Sequence, residues 1–393
     1  MKANNKIIDN LRSEARHAPD SGIIDIIVYG REKPGIIPLW AGEGDLPTPQ
    51  FICDAATQSL AAGETFYTYQ RGIPPLREAL ATYHQKIYGR SFPAERFLVT
   101  GSGMQAIQMA VQAIAGAGDE VIVPTPTWPN IAGSVGIIGA KPVEVPMAYS
   151  QNGWSLDFDS IVDAVSDRTR AIFLNSPGNP TGWVADEAEL KALLELSRQH
   201  NFWIIADEVY SRFVFDGRVS APSLYDITED DDLVIFVNSF SKNWAMTGWR
   251  IGWISAPPVI AQVIENLIQY STSGVAEFAQ RAAIVALEQG EEFLSHQVGR
   301  ASKGREILCD ALLETGRVHF AKPDGAFYLF FGVEGETDSV QLSQKLVDEA
   351  GIGLAPGSAF GAGGDGFMRL CFARSGDSIQ EATDRLVSWL NKQ

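Results

Sequence analysis

Lys242 and Arg250 are the only charged residues between Leu233 and Ile264, in a stretch that contains the run SFSKNWAMTGWRIGW. The rest of that stretch is apolar, aromatic, small or neutral polar. Lysine is rarely buried without a partner. It is therefore either a strand-end residue with its amine in water or an amine kept among apolar neighbours for covalent chemistry. Three other polar stretches bear on the choice. TGSGMQAI (100–107) follows the apolar run RFLVT and opens a helical pattern. NSPGNPTG (175–182) follows AIFLN, and IIADEVYSRF (204–213) has Asp207 closing an apolar run and Tyr210 three residues later. Taken singly, each has an ordinary structural reading: an acid there caps a helix, and asparagine, glycine and proline make turns. Taken together, they stand at the carboxyl ends of candidate parallel strands, where open α/β sheets bind ligands.

The residue types at those ends describe one ligand. The backbone N–H groups of Ser102, Gly103 and Met104 open a helix and suit an anion. Ser239 and Arg250 add to a phosphate site. Asp207 suits a basic ring nitrogen, Asn179 and Tyr210 an acidic ring hydroxyl, and Lys242 an aldehyde. Pyridoxal 5′-phosphate carries all four groups, and a Schiff base to its aldehyde explains the lysine. Gly101–Ala106 also matches the dinucleotide fingerprint G-x-G-x-x-A, but that motif needs an acid at the end of the next strand. Here Asp119 and Glu120 precede VIVP. An NAD-dependent oxidoreductase is the competing reading from a different class.

The elements that must position these residues are legible as alternation. Apolar runs at 96–100, 120–124, 171–175, 202–207, 233–238 and 251–255 are separated in several places by amphipathic stretches such as 105–114 and 186–198. This predicts an α/β sheet with both faces covered. After Ser255 the pattern changes. One long helical stretch is expected from about Pro257 to Leu313, then AFYLFFGV (326–333), a helix near 339–349, FMRLCFA (367–373) and a last helix near 378–390. That reads as a second, smaller α+β lobe, on which the first forty or so residues are expected to pack.

Composition narrows the class. The 393 residues carry a formal net charge of −17 and are 45% hydrophobic, so a large core is available. The acidity argues against a nucleic-acid footprint and against an anionic membrane surface. Three cysteines, an odd number and none close to another, argue against a disulfide framework or a CxxC metal site. The start, MKANNKIIDNLRSEARH, lacks the apolar core of a secretory signal. A cytoplasmic enzyme of small molecules, without nucleic-acid or membrane partners, is expected.

Six stretches in order resemble the class I/II aminotransferases of the fold-type-I pyridoxal-phosphate superfamily, the aspartate-aminotransferase-like group. They are GEGDLPTP (42–49), TFYTYQRGIPPLREAL (65–80), PTPTWPN (124–130), NSPGNPTG, ADEVY and SFSKNWAMTGWRIGW. The resemblance spans about Leu39 to Arg374. It implies a large domain, 45–285, with a mostly parallel seven-stranded sheet, and a small domain formed by 1–44 with 286–393. It implies that Lys242 is the Schiff-base lysine and Asp207 the partner of the pyridine nitrogen. Asn179 and Tyr210 are then on the ring hydroxyl, and Ser102, Gly103, Met104, Ser239 and Arg250 around the phosphate. Trp128 stacks on the ring, Arg369 grips the substrate α-carboxylate, and the Gly42 N–H assists it. Tyr67 reaches the partner subunit's phosphate, so a homodimer with shared sites is expected. The family also places cis peptides at Thr125–Pro126 and Asn179–Pro180.

The same site runs transamination or, in other members, β-elimination or decarboxylation; transfer from an amino acid to a 2-oxo acid, with ping-pong kinetics, is the reading taken. A cofactor-sensing transcription regulator would need a DNA-binding module for which the first forty residues leave no room. In aspartate-specific relatives an arginine stands a few residues before YS (270–271), where this chain has Leu267, or a lysine stands at the position of Met104. A neutral or apolar donor is therefore expected, with Ile23, Ile24 and Ile26 adding apolar wall. Aspartate remains open if Arg31, Arg71 or another cation reaches the pocket.

Overall fold

The computed structural model describes residues 6–150 and 153–393. The main sheet has seven strands: β1 Phe97–Thr100, β2 Glu120–Thr125, β3 Lys141–Pro146, β4 Thr169–Asn175, β5 Trp203–Asp207, β6 Val234–Ser239 and β7 Gly252–Ser255. Their order is β1-β7-β6-β5-β4-β2-β3. Only β7 runs antiparallel to its neighbours. Successive side chains on these strands enter two different apolar clusters. Val99, Ile122, Ile172, Ile204 and Phe236 face one way; Leu98, Val121, Phe173, Ile205 and Val237 face the other. Both faces are dry, so the runs read as continuously apolar rather than alternating.

The sixth apolar run and the five before it all became strands, as the pattern predicts. β3 was not among them. Its sequence, KPVEVP, contains two prolines and is exposed or half-buried everywhere but Val145, which fits an edge strand paired on one side only.

A second sheet holds β8 Val318–Phe320, β9 Tyr328–Val333, β10 Ala355–Pro356 and β11 Phe367–Cys371, in the order β8-β9-β11-β10. Its own apolar cluster includes Leu329, Phe331, Leu370 and Leu386. Ile37–Pro38 pairs in parallel with Ile352–Gly353, which ties the chain's early residues to this part of the molecule. The helices used below are α1 Gly22–Gly30, α2 Gly103–Ile114, α3 Asn130–Ile137, α4 Phe240–Asn243, α5 Ala261–Gln269, α6 Glu277–Gln289 and α7 Glu291–Glu314.

The expected single stretch from Pro257 to Leu313 is thus three helices. YSTSGVA (270–276) breaks it first, with Ser273 and Gly274 at positive φ. Gly290 breaks it again. A Cβ there would collide with the Trp244 indole and the Ala286 carbonyl, so the chain turns where only glycine fits.

Candidate active site

The carboxyl ends of β4, β5 and β6 lie side by side, and β7 enters the sheet beside β6. Asn175 pairs in register with Asp207, and Ser239 with Gly252. The asparagine side chains brace this edge. The Asn175 amide donates to the Asp207 carbonyl at 3.2 Å, and the Asn238 amide to the Glu208 carbonyl at 3.1 Å.

Asp207 is buried, yet its carboxylate accepts one backbone hydrogen bond, from Val209 N at 3.2 Å, and forms no ion pair within 4.0 Å among the described residues. Desolvation pushes its pKa up from 3.8 to about 7, against the Val209 hydrogen bond and the Lys242 charge, which lower it. Lys242 sits on α4, immediately after β6. Its Nζ donates to the Gly42 carbonyl at 2.6 Å. Desolvation lowers the amine to about 8, which makes it a usable base near neutral pH.

Opposite lies a guanidinium in the complementary condition. Arg369, on β11, is 2% exposed. It donates to Asn179 Oδ1 at 3.1 Å and to the Trp40 carbonyl, its Nε has no partner, and among the described residues no carboxylate lies within ion-pair distance. Tyr328 and Phe360 flank it, with ring centroids 4.8 and 4.9 Å from Cζ. Asn179 is held in turn by its backbone N–H to Asn175 Oδ1 at 2.8 Å. The peptides Thr125–Pro126 and Asn179–Pro180 are cis as expected, and Ser176–Pro177 is a third.

The residues expected around a phosphate include the start of α2. The Ser102 hydroxyl caps the helix by accepting from Gln105 N at 3.0 Å. The first N–H groups, those of Gly103 and Met104, have no partner inside the helix. Close backbone approach explains two glycines. A Cβ on Gly103 would stand 3.2 Å from Ser239 Cβ, and one on Gly252 would stand 2.7 Å from Gly103 N. Ser239 is buried, with its hydroxyl 2.8 Å from that of Ser241. Arg250 is exposed, in the left-handed region at φ 53°, donating to the Thr247 carbonyl at 2.6 Å.

Trp128 and Met104 are half-buried and line a cavity of about 600 Å³, together with Asn130, Ile137, Ala359 and Phe360. Among the described residues no lysine, arginine or histidine lines it, and the only ionisable ones that do are Asp20 and Glu144. Ala18–Gly22 closes one side. The expected wall of Ile23, Ile24 and Ile26 is not there. α1 turns Ile26 into the core beside Trp40 and leaves Ile24 55% exposed, because a helix presents residues two apart to different sides. The Gly42 carbonyl, which the sequence did not single out, accepts from the Lys242 amine. Tyr67 lies on the surface, 94% exposed.

This donor set fits pyridoxal phosphate. A buried carboxylate without a cation matches a protonated ring nitrogen, an amine of lowered pKa matches an aldehyde, and a helix start pressed against glycines matches a phosphate. Two residues were missed from the sequence. Tyr328 lies in the apolar run AFYLFFGV and reads there as core; its hydroxyl is 2.6 Å from that of Tyr210. Trp40 contributes only a backbone carbonyl, for which no side-chain signal exists.

Residues 34–386 match the family described as aminotransferase class I and II. A probable aspartate/prephenate aminotransferase of Aquifex aeolicus is 34% identical, over 97% of this chain and 99% of its own length. An arginine–pyruvate transaminase of Pseudomonas aeruginosa is 35% identical, over 90% of this chain and 89% of its own. The solved aspartate aminotransferase of Thermotoga maritima superposes with a TM-score of 0.90 at 34% identity, covering 97% of this chain and all (100%) of that one.

Proposed function

The chain belongs to the class I and II aminotransferases, which are pyridoxal-phosphate-dependent enzymes, and on that premise we propose the donor, the residue roles and the assembly. The enzyme moves an amino group between an amino acid and a 2-oxo acid. In this reading 45–285 form the cofactor-binding domain, and 1–44 with 286–393 the smaller one. The cofactor, when bound, supplies the carbonyl that exchanges amines and the ring that accepts the electron pair left at the substrate Cα.

The protein's residues do the rest. Ser102, Gly103, Met104, Ser239 and Arg250 hold the phosphate. Trp128 covers one ring face. Asn179 and Tyr210 hold the ring hydroxyl. Asp207 keeps a proton on the ring nitrogen; an anion in a dry site raises that nitrogen's pKa far more than it would in water. Arg369 takes the substrate α-carboxylate as the missing anion of its pocket, with the Gly42 backbone beside it. The Lys242 amine would carry the Cα proton as base and then as acid.

A homodimer completes the site, with Tyr67 reaching the partner's phosphate. Its support is three aromatic rings, Phe66, Tyr67 and Tyr270, exposed by 83%, 94% and 90%. Loss of activity on dilution to monomers is the expected result; full activity in a monomer would contradict the shared site. The three unpaired cysteines go with a reducing, cytoplasmic location.

The donor has a neutral or apolar side chain. The observation that carries this is the cavity, free of cations among the described residues, that shares Phe360 with the buried Arg369. Burying a second carboxylate there without a cation is costly. Of the two candidates named for it, Arg71 is committed to Glu265 and to Gln262 at 3.2 Å, and Arg31 is exposed and does not line the cavity. Aspartate is the competing donor, since relatives named for it are about as similar as any. The test is kcat/KM for aspartate against alanine, methionine and phenylalanine. A preference for aspartate above roughly tenfold, about 1.4 kcal/mol, means that a cation from outside this chain's own cavity enters the pocket.

A further inference from the structure

We propose that Tyr328 is a positioning residue joining the two halves of the site: its hydroxyl fixes Tyr210 as a donor towards the cofactor ring, and its ring face fixes the Arg369 guanidinium. The proposal rests on the roles given above to Tyr210 and Arg369. Tyr328 opens β9 and is completely buried, directly across the ladder from Cys371. Among the described residues its hydroxyl has one hydrogen-bond partner, the Tyr210 hydroxyl at 2.6 Å, and Tyr210 has no other.

Each hydroxyl owns one proton, so direction matters. Were Tyr210 the donor, its proton would be spent on Tyr328, and the Tyr328 proton would have no acceptor in a dry site. With Tyr328 donating, the Tyr210 proton points onward to the ring oxygen. Two aligned hydrogen bonds then polarise one another and strengthen the second.

The other contacts of Tyr328 lie on the substrate side. The Arg369 guanidinium stands 4.8 Å from its ring centroid, a geometry that holds a desolvated cation. A Cβ on Gly42 would collide with the Tyr328 hydroxyl, so the backbone carbonyl that holds Lys242 is packed directly on this tyrosine. The charged and titratable groups facing the tyrosine pair are Asp207, Arg369 and Cys371, with the Lys242 amine 5.9 Å from the Tyr210 ring centroid. All stay in place in the variants below.

The test is the pKa of the holoenzyme's cofactor absorption band, read by spectrophotometric titration, in wild type, Tyr328→Phe, Tyr210→Phe and the double variant. Weaker donation to the ring oxygen destabilises its anionic form, so the pKa rises. Tyr328→Phe should raise it by about half a unit and Tyr210→Phe by more than about one. The double variant should match Tyr210→Phe. A shift in Tyr210→Phe with none in Tyr328→Phe overturns this proposal and leaves the reading of Tyr210 intact. No shift in either overturns both. The ring-face half has its own readout. Tyr328→Phe should leave KM for the amino donor within about twofold, whereas Tyr328→Leu should raise it about tenfold; equal KM values overturn that half. Holoenzyme melting temperatures separate a folding defect, and Tyr328→Met replaces the leucine variant if that one does not fold.

Discussion

Two buried arginines, Arg212 and Arg369, belong to regions with opposite accounts of their charge. Arg212 lies where the segment after β5 meets α7. Its Nε donates to the Val219 carbonyl at 2.7 Å, one Nη to the Tyr83 hydroxyl at 3.0 Å and the other to Glu291. Every side of that guanidinium is answered from within the chain. Among the described residues Arg369 has a backbone carbonyl and an amide oxygen, an unused Nε and no acid. Two adjacent acids repeat the contrast. Glu208 is buried and pushed up to about 8 by desolvation, but Ser223 donates to its two oxygens at 2.7 and 2.8 Å and Tyr88 at 3.3 Å. Asp207 has one backbone N–H. Burial alone therefore does not mark a functional site. Burial with the partner missing does, because an unanswered charge in low dielectric is tolerated only where a ligand supplies the answer.

Substitutions can break the contrast, and the largest expected effect is at the amine itself. Lys242→Ala should lose the cofactor's visible absorption band and lower kcat by about 10³-fold or more, since both the covalent link and the proton carrier go. Normal turnover in that variant would remove the basis for every other role assigned here.

The arginine pair should separate stability from binding. Arg212→Ala is expected to cost about 2–4 kcal/mol in a denaturant melt, with KM unchanged, because it leaves Tyr83 and Val219 unanswered. Arg369→Ala should raise KM for amino acid and 2-oxo acid about a hundredfold, with little loss of stability in the cofactor-free protein. If Arg369→Ala unfolded the protein while KM held, the two regions would not differ in kind.

The acid pair should part in the same way. Asp207→Asn is expected to lower kcat roughly a hundredfold, while Glu208→Gln, which keeps acceptors for Ser223 and Tyr88, should stay within a few-fold. The smallest expected effect is in pH dependence. Asp207 has its pKa raised in the folded, cofactor-free state, from 3.8 to about 7. Its contribution to stability is then fully present below pH ~4 and is lost as pH rises through ~7. Asp207→Asn should thus stabilise the cofactor-free protein by about 2 kcal/mol more at pH 8 than at pH 5. Equal gains at both pH values would mean that the buried carboxylate is answered by something in the chain.

Much of this was visible as sequence because its signals are local. Asp207, Asn179, Ser102 and Lys242 each follow an apolar run, and strand ends in a parallel sheet share one edge. The strand β3 was missed because an edge strand is half solvated and tolerates proline. The helical stretch after Pro257 was read as continuous because periodicity carries across YSTSGVA, while the break at Gly290 depends on a contact with Trp244 that lies 46 positions away by subtraction of their numbers. The misplaced isoleucine wall has a similar cause: isoleucines at 23, 24 and 26 point to different sides of one helix, and which side meets the core is decided by tertiary packing.

By itself the sequence determined which groups are chemically able: one lysine in an apolar stretch, an acid at a strand end, a helix start rich in glycine, and an arginine in FMRLCFA. These follow from composition and spacing within short windows. Only the tertiary structure decided which of them lack an internal partner. Tyr328, Arg369 and Gly42 come from three distant segments, and the hydroxyl pair, the flanked guanidinium and the carbonyl on Lys242 exist only because β9, β11 and the 40–43 segment meet over the edge of the main sheet. Whether a charge is answered is a property of all the chains of atoms around it, and no window of sequence contains them together.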